Sequence, residues 1–219
     1  MRTKFIDSDT VSKVAQNIKD KKIRTIWLLM NDTGLRVSDA VGIRYSDIDS
    51  KGQIHYKSKK TGKNGIAKPS PNILALLGRQ PIRSMYVFSS NKNPAKHIHR
   101  STVFKAIKKA CSDAGIDSEG IAPHSARKAF AVNDFRQYGL GKTMHDLQHS
   151  SAATTLFYAL SDDPIPQIFA QLKVLKQCIN FNYEKIEDLF EICDRILEKI
   201  VDVDEPLKLK VSDQKKAGE

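Results

Sequence analysis

Apolar residues recur at helical spacing through most of the first 160 positions. Residues 8–20 predict a short helix with Ser8 as its N-cap. Residues 22–32, KIRTIWLLMND, predict a second, strongly apolar helix that Gly34 ends by taking a positive φ. In 35–48, apolar side chains at Val37, Ala40, Val41 and Ile43 predict a short amphipathic helix. QIHY at 53–56 and GIAKP at 65–69 have the composition of strands. The KSKKTGKN between them, rich in Lys and Gly, predicts a hairpin turn. Further helices are predicted over 70–79, 101–114, 124–138 (opening beside Pro123), 141–149 and 152–160. Trp27 and Phe130 are assigned to the core. The fold class that follows is mainly α with a small antiparallel β-sheet, an α+β domain.

Beyond residue 160 the pattern changes. SDDPIP at 161–166 interrupts it with two acids and two prolines. Residues 165–200 then show a 3-4 repeat. One set is Ile165, Leu172, Ile179, Ile186, Cys193 and Ile200; the other is Ile168, Leu175, Asn182, Leu189 and Ile196. Such a repeat predicts a long helix able to form a coiled coil, with Asn182 setting register. Phe169, Phe181 and Phe190 widen the apolar face and suit packing onto the chain's own domain instead. The predicted organisation is a domain over 1–160, a helical tail over 161–205, and a disordered end over 206–219.

Charge divides at the same boundary. The 219 residues hold 36 Lys and Arg against 25 Asp and Glu, a net +11. Residues 161–219 carry 9 basic and 13 acidic side chains, which leaves 27 basic and 12 acidic in residues 1–160, a net +15. A basic domain of this kind selects an anionic partner, with nucleic acid foremost. Three cysteines without a CxxC pair argue against a disulfide scaffold or a cysteine zinc site. The N-terminus lacks the apolar stretch of a signal peptide, and the longest apolar run, IWLLM at 26–30, is too short to span a bilayer. The expectation is a protein without a membrane partner that is not secreted and acts in the cytoplasm, or in a host nucleus or nucleoid.

Four short patterns stand out within the basic domain. TGLRVSDAV places Arg36 just after the helix-ending Gly34, with Asp39 following it. SKKTGK places Lys60 at the hairpin tip. PHSARKAF puts His124 and Arg127 three apart on one helix face, near its N-terminus. LQHSSAATTLFY puts His149 nine residues before Tyr158. Each is weak alone, and other readings exist for each. Arg36 could be a surface arginine, and HxxR could be ordinary helix surface. Lys59 is the alternative to Lys60. His149 could pair with His145 in H-x-x-x-H, but the glutamate and third ligand of a zinc site are missing. Taken together, in this order and at these spacings, the set resembles the tyrosine recombinase (phage integrase) family over residues 8–160.

The resemblance implies the family's catalytic-domain fold, with a long C-terminal helix, and implies a site-specific recombinase or integrase. Its reaction is attack by a tyrosine on a DNA phosphodiester, giving a 3′-phosphotyrosine and a 5′-hydroxyl. Tyr158 would be the nucleophile. Arg36 and Arg127, permanently charged, would clamp the phosphate oxygens. His124 would be the base, Lys60 the acid, and His149 a hydrogen-bond donor to the phosphate, with Asp39 in support. Lys57, Lys59, Lys63 and Lys128 would contact the duplex. The partner implied is double-stranded DNA, bound by a dimer or tetramer that residues 165–200 could hold together. No cofactor or metal is implied. Departures are Gln148, where the family has Gly before the second His, and Ala126 and Lys128 flanking the second Arg. Arg36 also leaves no room for the family's N-terminal core-binding domain, so either a short form or a fragment of a longer protein is expected. The alternatives are relaxation by a type IB topoisomerase and a non-catalytic DNA-binding or architectural protein on the same fold.

Overall fold

The computed structural model describes residues 3–148. His149, Tyr158, the helix predicted over 152–160, the heptad tail and the C-terminal end lie outside the described residues. The element order is α1 (Ser8–Asn17), α2 (Lys21–Thr33), α3 (Val37–Ala40), a 3₁₀ turn (Tyr45–Asp47), β1 (Ile54–Lys57), β2 (Asn64–Ala67), α4 (Pro71–Gly78), α5 (Arg100–Asp113) and α6 (Pro123–Leu147). The described residues are thus mostly helical with one two-stranded antiparallel sheet, as the pattern predicts. None of their helices is long and apolar enough to cross a membrane.

α2 forms the centre. Asp20 caps its start by accepting from the amides of Lys22 and Ile23, and Gly34 ends it at φ 68°. Ile23, Ile26, Trp27, Leu29 and Met30 are all buried, which is why the segment reads as apolar on more than one face. Trp27 is fully buried and satisfies its indole N–H on the Val11 carbonyl at 3.1 Å. α6 lies along α2, α1 packs on α5, and α4 closes another side of α2.

Three expectations are corrected. Asp7, not Ser8, caps α1: its carboxylate accepts from the Thr10 amide at 2.7 Å. The helix expected over 35–48 is helical only at Val37–Ala40 and in the 3₁₀ turn. Between them the backbone is recruited by a distant segment. Val87 donates to the Ile43 carbonyl at 3.0 Å, and Arg44 pairs antiparallel with Tyr86. Local periodicity carries no sign of that partner, although Val41 and Ile43 are still buried. Phe130 is only half-buried, standing at the edge of a cleft rather than in the core.

The hairpin follows its sequence closely. Ile54 pairs with Ala67 and Lys57 with Asn64. Ile54 and Ala67 are buried and anchor the base, while the turn is exposed. Gly62 takes φ 70° there, and its amide donates to the Ser58 carbonyl at 2.8 Å. α6 is one helix in outline but breaks at Gly139 (φ 78°, ψ −176°), in keeping with the two helices predicted.

Candidate active site

The site is built on the corner at Gly34. A Cβ there would lie 2.5 Å from a ring carbon of Phe130, and the backbone is left-handed, so only glycine fits. The Gly34 carbonyl accepts from Nη1 of Arg127, and Nη2 of the same guanidinium donates to the Leu147 carbonyl at 2.8 Å. Arg127 is 2% exposed. One buried arginine therefore joins the end of α2, the first turns of α6 and its last residue. Arg36 follows the corner by two residues, caps α3 with its backbone and reaches the Ser58 hydroxyl with Nη1 at 3.5 Å.

Asp39 ties α3 to the hairpin. It is buried, and its Oδ1 accepts from the Lys59 amide at 3.0 Å and from the Ser38 hydroxyl at 3.3 Å. Its other oxygen is buried without a hydrogen bond among the described residues. The two lysines weighed for the hairpin tip now separate. Lys59 lies over Gly42, and its Nζ is 3.3 Å from Nε2 of His97. Nδ1 of His97 is 2.8 Å from the Ile98 carbonyl and so must carry the proton, which leaves Nε2 to accept from Lys59. Lys60 is exposed in the turn, and its charge acts on His124.

His124 sits half-buried in the first turn of α6. Burial, and then the charges of Arg127, Lys128, Arg36 and Lys60, push its pKa down from 6.5 to about 4. The imidazole is neutral at pH 7. Four cations from three separate stretches of sequence thus converge on one histidine. Tyr56 stands in the same field: burial raises its pKa, and the nearby Arg127 and Arg36 partly offset that.

Lys57, Lys59 and Lys63 are exposed on the hairpin. Lys128, expected as a duplex contact, is 4% exposed, and its charge adds to the field around His124. No group of three potential metal ligands occurs among the described residues. His145 is exposed and makes its contact to Asp146 at 3.0 Å. A cleft of about 350 Å³ opens beside α6, lined by Asp32, Ile66, Phe130, Asp134, Tyr138 and Lys142 among others. None of the predicted site residues lines it, and its three acids, Asp146 included, suit it poorly to a phosphate.

Four residues of this region carry no role in the sequence reading: Ser58 under Arg36, His97 under Lys59, Tyr56, and Gln148 in the contact it makes. Gln148 alone gave a signal, as a departure from the family's glycine. It caps α6 in the left-handed conformation (φ 53°, ψ 39°) and its Nε2 donates to the Asn64 carbonyl of β2 at 2.9 Å.

Comparison with known proteins fits this arrangement. The profile of the phage integrase family matches residues 4–164. The tyrosine recombinase XerA of Pyrococcus furiosus is 32% identical over 165 residues, covering 71% of this chain and 56% of that protein. The chain spans about half the length of the curated relatives it matches. The crystal structure of a XerA recombinase superposes with a TM-score of 0.62 at 21% identity, covering 84% of this chain and 67% of that one. A lambda integrase tetramer bound to a Holliday junction gives 0.60 at 22% identity, covering 71% and 48%. The likeness to these structures is one of fold.

Proposed function

Because the chain belongs to the phage integrase family, we propose that it cleaves and rejoins DNA at a specific site through a 3′-phosphotyrosine on Tyr158. The observation that carries this reading is the convergence of Arg36, Lys60, Arg127 and Lys128 on His124, whose proton affinity they lower. A partly desolvated pocket with this much positive charge suits an anion that gains charge during reaction. The phosphodiester itself supplies a negative charge among those cations. Its arrival offsets the part of the lowering that comes from these cations, beyond that from burial, and so raises the imidazole's basicity.

In the proposed reaction the Tyr158 oxygen attacks phosphorus and gives its proton to His124. The bond from phosphorus to the 5′ oxygen breaks, and Lys60 protonates that oxygen. Rejoining is the reverse. Arg36 and Arg127 hold the two equatorial oxygens, Arg127 with its position fixed by the Gly34 and Leu147 carbonyls. His149, next after the α6 cap, donates to the same phosphate. Bond energy is kept in the phosphotyrosine, so the cycle consumes no nucleotide. Lys57 and Lys63 hold the flanking duplex. Residues 1–160 form the catalytic part in this reading. Residues 165–200 join copies into the dimer or tetramer that recombination between two sites requires. Deleting 165–219 should lower both oligomer size and DNA affinity.

The test of the reaction is a covalent adduct. A duplex selected from a random pool by binding, nicked near its centre so that the cut fragment is lost, should trap the wild-type protein on DNA. Tyr158→Phe should trap none. A wild type that binds the duplex and forms no adduct, or a Tyr158→Phe variant that forms it undiminished, would overturn the reading in favour of a non-catalytic binding protein or another nucleophile.

A further inference from the structure

Gln148 stands where a glycine would sit without strain. At φ 53° an L side chain crowds its own backbone, so the residue is held there at a conformational cost. Its side chain makes a contact that no glycine could. Nε2 donates to the Asn64 carbonyl at 2.9 Å, in the strand of the hairpin that follows the Lys60 turn. The amide occupies the space above Gly65: a Cβ at that glycine would lie 1.8 Å from Nε2. Gly65 is not in the left-handed region, so its missing side chain is explained by this occupancy, together with the Tyr56 ring carbon that a Cβ would meet at 2.9 Å, rather than by its backbone. Oε1 of Gln148 is also buried, with no partner among the described residues. The neighbouring Leu147 carbonyl is the one that Arg127 holds.

From this we infer that Gln148 is a positioning residue, latching the hairpin that carries Lys60 to the end of α6 immediately before His149. Among the described residues the hairpin's other backbone tie outside its base is the Asp39 carboxylate on the Lys59 amide, on the opposite strand side of the turn, where the side-chain contacts of Arg36 to Ser58 and of Lys59 to His97 add to it. With both ties made, the turn is held from two directions. The Arg127 guanidinium on the Leu147 carbonyl and the carboxamide of the next residue, Gln148, then fix Arg127 and the Lys60 hairpin relative to the end of α6. The inference rests on the proposed roles of Lys60 and His149, but its physical core, a hairpin steadied by Gln148, does not need them.

Gln148→Gly is the informative variant, because it relieves the backbone and removes the amide together. The melting temperature should stay level or rise, and DNA affinity should be unchanged. The amides of Ser58 and Gly62, both hydrogen-bonded within the turn, should exchange with solvent about tenfold faster. Adduct formation at saturating DNA should fall about tenfold, a loss in the chemical step rather than in binding. Unchanged exchange at Ser58 and Gly62 in Gln148→Gly overturns the latch. So does an adduct rate equal to wild type. If the wild type forms no adduct, the recombinase reading fails by itself, and the exchange rates alone then decide the latch.

Discussion

The corner at Gly34 and the hairpin at Lys60 bring positive charge to the same histidine from opposite mechanical settings. At the corner, Arg127 is 2% exposed and bonded to two backbone carbonyls, and the glycine beneath it admits no other residue. The hairpin is buried only at its base, through Ile54 and Ala67, and its turn is exposed. The difference matches the roles proposed for each group. A clamp on a transition state works best when its dipoles are oriented beforehand, because no energy is then spent on reorienting them. A proton donor to a leaving oxygen has to approach and withdraw, so it belongs on an element with few buried contacts. The side-chain amide of Gln148 and the carboxylate of Asp39 lie between these extremes, limiting the hairpin without burying it.

The contrast predicts unequal penalties. Arg127→Lys should be the most damaging of the changes considered. One ammonium cannot span the Gly34 and Leu147 carbonyls, so adduct formation should drop about 1,000-fold. The carbonyl left without a donor should lower stability by about 1–3 kcal/mol. Thermal denaturation beside single-turnover cleavage checks both, and a variant as stable as the wild type would deny Arg127 its structural half.

Next comes the acid sensitivity of His124. Its folded pKa of about 4 lies below the 6.5 of an unfolded chain. Above pH 6.5 both states are neutral and the group contributes nothing. Between 6.5 and 4 the unfolded chain takes up a proton that the folded site refuses. Stability therefore falls with pH through that window, by about 3 kcal/mol in all. Denaturant titrations at pH 7 and pH 4.5 should show His124→Asn losing less stability than the wild type on acidification. Equal losses would mean the imidazole is not in the positive field described.

Lys60→Ala should cut adduct formation about 100-fold and leave stability within about 0.5 kcal/mol, as expected for an exposed turn. Lys59→Ala, losing only its contact to His97, should stay within about threefold of wild-type cleavage. A reversed order would transfer the acid role to Lys59. The smallest effect belongs to Lys63→Ala: a modest loss of affinity, and a salt dependence of binding shallower by about one unit. An unchanged slope would place the duplex away from the hairpin.

Much of this architecture is readable from local pattern. α2 and its glycine stop, the hairpin with its lysine turn, and the break in α6 each depend on residues within a few positions of one another. So does the ordered set of motifs that marks the family. The failures share a cause. The segment after Ala40 leaves helical geometry because residues 85–87 claim its backbone. Nor does residue type signal that Lys128, one residue past Arg127, is 4% exposed. Ser58, His97 and Tyr56 matter through partners 22 to 71 residues away, Tyr56 through the charge of Arg127.

Residue type and spacing were therefore enough for the helical period, the glycine corner, the charge of the domain and the motifs that mark the family, because each is a property of near neighbours or of composition. Which lysine is tied down, how far His124 is pushed from ordinary basicity, and what an out-of-place glutamine is for depend on distances across the fold. Hydrogen bonds and Coulomb fields act through space, and the packing of α6 against α2 and the hairpin fixes those distances.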